Sequence, residues 1–272
     1  MSPRSGIVNG LDGHTRLYWE ATGRGDPVLL VHGLGLSGGA WWRTVDALAP
    51  AMCVFTFDHR GIGRSQSWTY AYTTEAMADD AISILDDLGI DRVHLYGFSL
   101  GGMIAQQIAL RHPARVRSLV LGATHSGGRR ATSPDPDVVG FIRRRGNMPA
   151  EQAAWASVPY NYGPRSRIEH VGRIAEDIER RLQNPFNERA YRAQLLAASL
   201  HNCFSRLHRI GAPTLVVHGA RDRMIPVANA RVIAQHVPGA RLTILEDAGH
   251  LYPTEEPAVD KAIARFFAAQ GD

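Results

Sequence analysis

Lysine is almost absent from this chain: Lys261 stands alone against 29 arginines. Such a bias follows from genomic base composition, and no nucleic-acid partner is expected from it. Cysteine is nearly as scarce. Cys53 and Cys203 lie far apart without the Cys/His company of a zinc site or redox pair, and Cys53 falls in an apolar run, so no disulfide framework is expected. The twelve histidines include no His-x-x-x-His or comparable cluster, which argues against a metal site. Nowhere do about eighteen apolar residues run together, and Met1–Glu20 contains no signal-like apolar core. The expectation is a cytoplasmic protein with no membrane partner, for which a homodimer is compatible.

What is present suits a large core, since 44% of the 272 residues are apolar. Short apolar runs recur at Val28–Val31, Cys53–Phe57, Val93–Tyr96, Val116–Leu121, Thr214–His218 and Leu242–Leu245. Each is too short and too uniformly apolar for an amphipathic helix, so they predict buried parallel strands. Between them, Thr74–Leu88, Leu100–Arg111 and Pro257–Ala268 have helical periodicity with Gly89 and Pro113 as stops. Strand alternating with helix predicts a doubly wound α/β sheet. Ile7–Asn9 and Thr15–Ala21 break the rhythm, because the turn Gly10-Leu11-Asp12-Gly13 leaves room only for an antiparallel hairpin.

A second break is the 92 residues at 122–213, too many for a simple crossover. Breakers from Ser126 to Pro136 precede helical patterns at Asp137–Arg145, Ala150–Ala156, Arg167–Leu182 and Glu188–Leu200. The reading is a core of residues 1–125 and 210–272 with a helical cap at 126–209 over the carboxyl edge of the sheet. Residues 127–210 hold 14 arginines against 8 acidic residues, whereas the rest has 16 basic against 18 acidic. A basic cap could steer anionic substrates. Solvated helix faces explain the same count, and that simpler account is adopted here.

Gly97-Phe98-Ser99-Leu100-Gly101 fits Gly-x-Ser-x-Gly, a weak signal alone. Its setting strengthens it, because a strand precedes the pentapeptide and a helix follows, placing Ser99 at a sharp strand-to-helix turn. A hydroxyl is a poor nucleophile at neutral pH and needs a base that takes its proton and later returns it. His250 qualifies: it follows Ala248-Gly249 beyond the last predicted strand, at the sheet's carboxyl edge. His218, His112, His201 and His208 have structural or surface explanations.

A carboxylate must hold the base in the right tautomer. Asp222 is chosen because it follows strand Thr214–His218 at the same edge, whereas Gly122-Ala123-Thr124-His125 after the preceding strand has no carboxylate. Glu246 and Asp247 sit in the loop leading to His250 and are read as capping or solvent-facing. The backbone N–H groups of Leu34 and Leu100 are the candidate oxyanion donors. An apolar pocket is expected from Leu34, Phe98, Met224 and Leu251 with the cap aromatics Phe141, Trp155, Tyr160 and Tyr162.

Taken together, His32-Gly33-Leu34-Gly35, Asp58-His59-Arg60-Gly61-Ile62-Gly63-Arg64-Ser65, the Ser99 pentapeptide, His218-Gly219-Ala220-Arg221-Asp222 and Ala248-Gly249-His250 resemble the α/β-hydrolase superfamily over most of residues 15–270. The resemblance implies a structural role for the Asp58–Ser65 turn and the chain order Ser, Asp, His. Epoxide hydrolases and haloalkane dehalogenases of this fold carry aspartate where Ser99 stands. Hormone-sensitive-lipase-like esterases show a His-Gly-Gly-Gly stretch absent here, and proline iminopeptidases typically have Trp at the position of Leu100.

Ala78-Asp79-Asp80, Asp91-Arg92-Val93 and Ser99 through Gln106 look most like bacterial carboxylesterases and 3-oxoadipate enol-lactonases, although the latter often lack the His32-Gly33 pair. The expectation is therefore a cofactor-independent serine hydrolase acting on small-molecule esters. The alternatives are lactone or enol-lactone hydrolysis, carbon–carbon hydrolysis of meta-cleavage type, and ligand reception on the same fold. Turnover with product release separates the last from the others.

Overall fold

The computed structural model describes residues 3–69, 72–183 and 187–271. β1 (Arg4–Asn9) and β2 (Arg16–Thr22) pair antiparallel, with Gly10 N–H closing the turn on Thr15 O. β2 then lies antiparallel to β4 (Met52–Phe57). The remaining strands run parallel: β3 (Asp26–Val31), β5 (Val93–Phe98), β6 (Val116–Gly122), β7 (Thr214–Gly219) and β8 (Arg241–Leu245). The order β1-β2-β4-β3-β5-β6-β7-β8 makes one eight-stranded sheet.

Side-chain alternation splits each inner strand between two apolar layers. On β3, Leu29 and Val31 join a core containing Met77 and Leu85 of α2 (Thr74–Asp87, after α1, Trp42–Leu48) and Ile104 of α3 (Leu100–Arg111). Val28 and Leu30 enter the opposite core with Leu48 of α1. β4, β5 and β7 are buried along their whole length, as strands covered on both faces require. The run at Leu242–Leu245 differs from its expectation: β8 is an edge strand with one neighbour, β7, and none of its residues is fully buried.

Apart from an isolated bridge between Gly127 and Asn202, the regular structure of the described residues between β6 and β7 is helical: α4 (Pro136–Arg145), α5 (Ala150–Ala156), α6 (Val158–Asn161), α7 (Ser166–Glu169), α8 (Val171–Leu182) and α9 (Glu188–Leu200), with short 3₁₀ turns. The span 167–182 is two helices rather than one, broken at His170. Each half is anchored separately to the core. Arg165, preceding α7, reaches Asp247, and α8 is tied down where Arg43 bonds Asp177 and Arg173 O. Asn187 caps α9 by accepting Ala190 N–H at 3.1 Å. After β7 come α10 (Ala228–His236), α11 (Tyr252–Glu255) and α12 (Ala258–Ala268), the last supplying Ile263 and Phe267 to the second core.

Cys53 and Cys203 are both buried and free. Among the described residues no helix is long and apolar enough to cross a membrane, and no cluster of three His, Cys, Asp or Glu side chains could hold a metal.

Candidate active site

The site is assembled from the chain just beyond β3, β5, β7 and β8, all at the carboxyl edge of the sheet. Ser99 is forced into φ 56°, ψ −120°, a conformation that costs a non-glycine residue about 1–3 kcal/mol. Its surroundings hold it there. Ser99 N–H donates to Gly122 O at 2.9 Å, and Thr124 Oγ1 donates to Ser99 O at 2.8 Å. The turn also closes without room for side chains on either flank. A Cβ on Gly97 would lie 2.3 Å from Gly101 O, and one on Gly101 would lie 1.9 Å from Val31 O.

His250 Nε2 stands 3.1 Å from Ser99 Oγ. On the other side of the ring, Nδ1 stands 2.7 Å from Asp222 Oδ2. The second carboxylate oxygen, Oδ1, accepts the Met224 and Ile225 N–H groups at 2.8 and 2.9 Å. Burial alone would raise the Asp222 pKa, but the adjoining His250 and His218 outweigh it and hold the carboxyl at about 2. Asp222 is therefore an anion at neutral pH. That charge favours Nδ1–H on His250 and leaves Nε2 free to accept the Ser99 proton.

His218, which the sequence marks only as the end of a strand, also reaches this carboxylate. Its Nε2 lies 2.8 Å from Ile225 O and 3.1 Å from Asp222 Oδ2. Both neighbours accept, so Nε2 carries the proton and His218 is a second donor to the carboxylate. Its position four residues before Asp222 on the same strand end was the available signal. Glu246 and Asp247 are exposed, and Asp247 faces Arg165 rather than His250.

The two candidate oxyanion donors, the Leu34 and Leu100 N–H groups, belong to segments next to Ser99. Leu100 is the first residue of α3, where helix N–H groups have no intrahelical acceptor. Leu34 follows Gly33, whose added Cβ would touch Ser99 Cβ at 3.2 Å. Neither N–H donates to a described residue. Several groups fix the Leu34 loop. His32 Nε2 lies 2.9 Å from Phe57 O, Gly35 N–H donates to Gln194 Oε1 at 2.8 Å, and Gly38 N–H donates to Asp58 Oδ1 at 2.7 Å. Asp58 also accepts Arg64 N–H at 2.9 Å, and Arg60 grips the buried Asp80 through two 2.6 Å bonds. The Asp58–Ser65 turn thus braces the loop from behind.

Glu255, which no sequence signal indicated, ties the His250 loop to the helical insert. Its two oxygens accept Gly249 N–H at 2.7 Å and Gly163 N–H at 2.6 Å. Leu251 N–H adds a bond to Asn161 O.

Ser99 and His250 open into a cavity of about 720 Å³ walled by both core and insert. Leu34, Phe98, Leu100, Met224 and Leu251 line it, as do His125 and His201. The insert aromatics lie elsewhere. Trp155 is 46% exposed, Tyr160 stacks on Phe141 at 4.5 Å, and Tyr162 packs with Ile174 and Ile178. Packing within the insert takes up the Phe141, Tyr160 and Tyr162 rings, and Trp155 turns to solvent. In their place, aliphatic residues such as Leu195 and Leu196 of α9 and Ile142 of α4 reach the cavity.

A hydroxyl, an imidazole and a buried carboxylate in line, beside N–H groups that bond to no described residue and open to a cavity, fit the hydrolase class of α/β proteins. The chain belongs to the alpha/beta hydrolase fold family, whose model matches residues 26–257. It is 31% identical over 247 residues to a poly(3-hydroxyalkanoate) depolymerase of Ectopseudomonas oleovorans, covering 88% of this chain and 83% of that one. A thermophilic esterase from Thermogutta terrifontis superposes with a TM-score of 0.83 at 28% identity, covering 99% of this chain and 100% of the other. The enol-lactonase from Burkholderia xenovorans LB400 has a TM-score of 0.84 at 24% identity, over 97% and 100% of the two chains, and shares the fold.

Proposed function

We propose that the protein hydrolyses carboxylic esters through Ser99, His250 and Asp222, with an acyl-enzyme intermediate. The observation that carries this reading is the unbroken relay from Ser99 Oγ to His250 Nε2 at 3.1 Å and from His250 Nδ1 to Asp222 at 2.7 Å. Ser99 Oγ attacks the carbonyl carbon while its proton passes to His250 Nε2. The carbonyl oxygen gathers negative charge between the Leu34 and Leu100 N–H groups, each such donor contributing about 2.7–4 kcal/mol to the transition state.

As the carbon–oxygen bond breaks, His250 returns the proton to the leaving alcohol. Water then adds to the acyl group, giving its proton to His250, and the carboxylic acid leaves as Ser99 recovers its hydrogen. Every step is proton transfer and acyl transfer, which these side chains supply without a cofactor. Lactones are cyclic esters and fall within the same chemistry. In this reading the insert at 126–209 serves as a cap over the core of residues 1–125 and 210–272. The name of the Thermogutta relative, an esterase, points the same way.

The test is Ser99→Ala assayed with a short p-nitrophenyl ester. Turnover falls by about 10⁶-fold where the three residues act as a unit. A correctly folded variant that retained a tenth of the wild-type rate would refute the assignment.

A further inference from the structure

The cavity beside Ser99 is positively charged and has no internal counter-ion. Four arginines line it, Arg143, Arg145, Arg181 and Arg192, and no aspartate or glutamate does. Three of the four have ordinary surroundings. Arg143 is exposed, Arg145 lies against the Tyr191 ring, and Arg192 pairs with Glu188.

Arg181 differs. It stands half-buried in the last turn of α8 and makes no hydrogen bond or ion pair with a described residue. Burial and the neighbouring Arg145 charge lower its pKa to about 10, which leaves it cationic at neutral pH. Asp177, which faces it from the same helix, is already engaged by Arg43 Nε at 3.1 Å and by the Thr254 hydroxyl. A half-buried guanidinium that no described acceptor engages keeps its planar set of N–H donors available at the cavity wall, where an entering anion can take them.

We infer that Arg181 binds a carboxylate of the substrate, so that the enzyme acts on esters or lactones that carry a second, ionised carboxyl group. This deepens the ester-hydrolase reading and rests on it. A single guanidinium that bonds to no described residue matches one carboxylate, whose two oxygens it can grip side by side. The apolar walls contributed by Leu34, Phe98, Leu195, Leu196 and Met224 accept the carbon chain between the two carboxyl functions. The excess of arginine over acid in the insert then has a local purpose at this cavity, beyond solvating helix faces.

The experiment compares mono-p-nitrophenyl glutarate with p-nitrophenyl valerate, which differ in a terminal carboxylate against a methyl. The wild-type protein is expected to favour the glutarate in kcat/KM by at least about tenfold, from the strength of a charge-assisted bond. Arg181→Gln should lower that ratio by about tenfold or more through the KM of the glutarate, and Arg181→Lys should restore part of it. A wild-type preference for valerate, or a ratio untouched by Arg181→Gln, overturns the inference.

Calorimetry on Ser99→Ala with monomethyl glutarate against methyl valerate covers the case in which Arg181→Gln does not fold. Binding of the former at least about tenfold tighter supports the carboxylate site, and equal binding overturns it. Failure to hydrolyse either p-nitrophenyl ester, alongside tight glutarate binding, would count against the ester-hydrolase reading alone.

Discussion

The two walls of the cavity are built on different terms. The wall from the sheet has almost no slack: Ser99 is held in a strained conformation, Gly97 and Gly101 have backbone where a side chain would be, and both Asp222 oxygens are engaged. The wall from the insert leaves a large apolar residue in solvent, Leu196 at 57%, and carries Arg181, which bonds to no described residue. Rigid placement is what proton and acyl transfer demand, because the reacting groups must meet within hydrogen-bond distance. Looser, varied side chains are what selecting among substrates demands. The chemistry therefore sits on one wall and the choice of substrate on the other.

The largest effect that tests this division, after removal of the nucleophile, comes from Asp222→Asn. The substitution keeps the shape but leaves His250 without the anion that fixes its tautomer, so kcat should fall by about 10⁴-fold while KM stays close to that of the wild type. Steady-state kinetics on a neutral ester decides it. A tenfold or smaller loss would mean that His218 or another group holds His250.

The same carboxyl links activity to acid stability. Its folded pKa of about 2 lies below the ordinary 3.8, so its contribution is complete above pH 3.8 and disappears as pH falls through 2. The wild-type protein should thus lose more stability than Asp222→Asn between pH 4 and pH 2, as measured by urea unfolding at each pH.

Next in size is Gly101→Ala. The new methyl would lie 1.9 Å from Val31 O, and neither the α3 backbone nor β3 can move far within a packed sheet. Overpacking of this kind costs about 1–3 kcal/mol or more. Urea unfolding should show the loss in the midpoint, and activity should fall further than stability because Ser99 is displaced. Unchanged stability would mean that the wall around the serine is softer than its contacts indicate.

The rigid wall was largely legible in the sequence. Short apolar runs marked β3 to β7 because a strand buried on both faces must be apolar throughout. Ser99, Asp222 and His250 were each legible as residues of the right chemistry in a loop just beyond a predicted strand end. The edge position of β8 was not legible, since Leu242–Leu245 has the same composition whether it has one neighbour or two. On the insert, amphipathic patterns located the helices but could not say which apolar face met the cavity and which met another helix. Trp155 and Tyr160 were expected in the pocket for that reason, and Leu195 and Leu196 occupy it instead. Arg181 was hidden among 14 arginines whose individual burial depends on tertiary packing.

The smallest effects should come from the outer residues of the insert, and they separate its surface from its cavity face. Trp155 is 46% exposed and lies off the cavity, so Trp155→Ala should change stability by less than about 0.5 kcal/mol and leave acyl-chain preference alone. Leu196 is also exposed but lines the cavity, so Leu196→Ala should be equally mild in stability. It removes apolar surface that a longer acyl chain would cover, at about 25 cal/mol per Å², and its KM for octanoate over acetate esters should rise a few-fold. A series of p-nitrophenyl esters from two to ten carbons, run on both variants, reads the difference directly. If Trp155→Ala shifts chain-length preference as much as Leu196→Ala does, the insert acts as a whole on the substrate, and the separation between its cavity face and its outer surface does not hold.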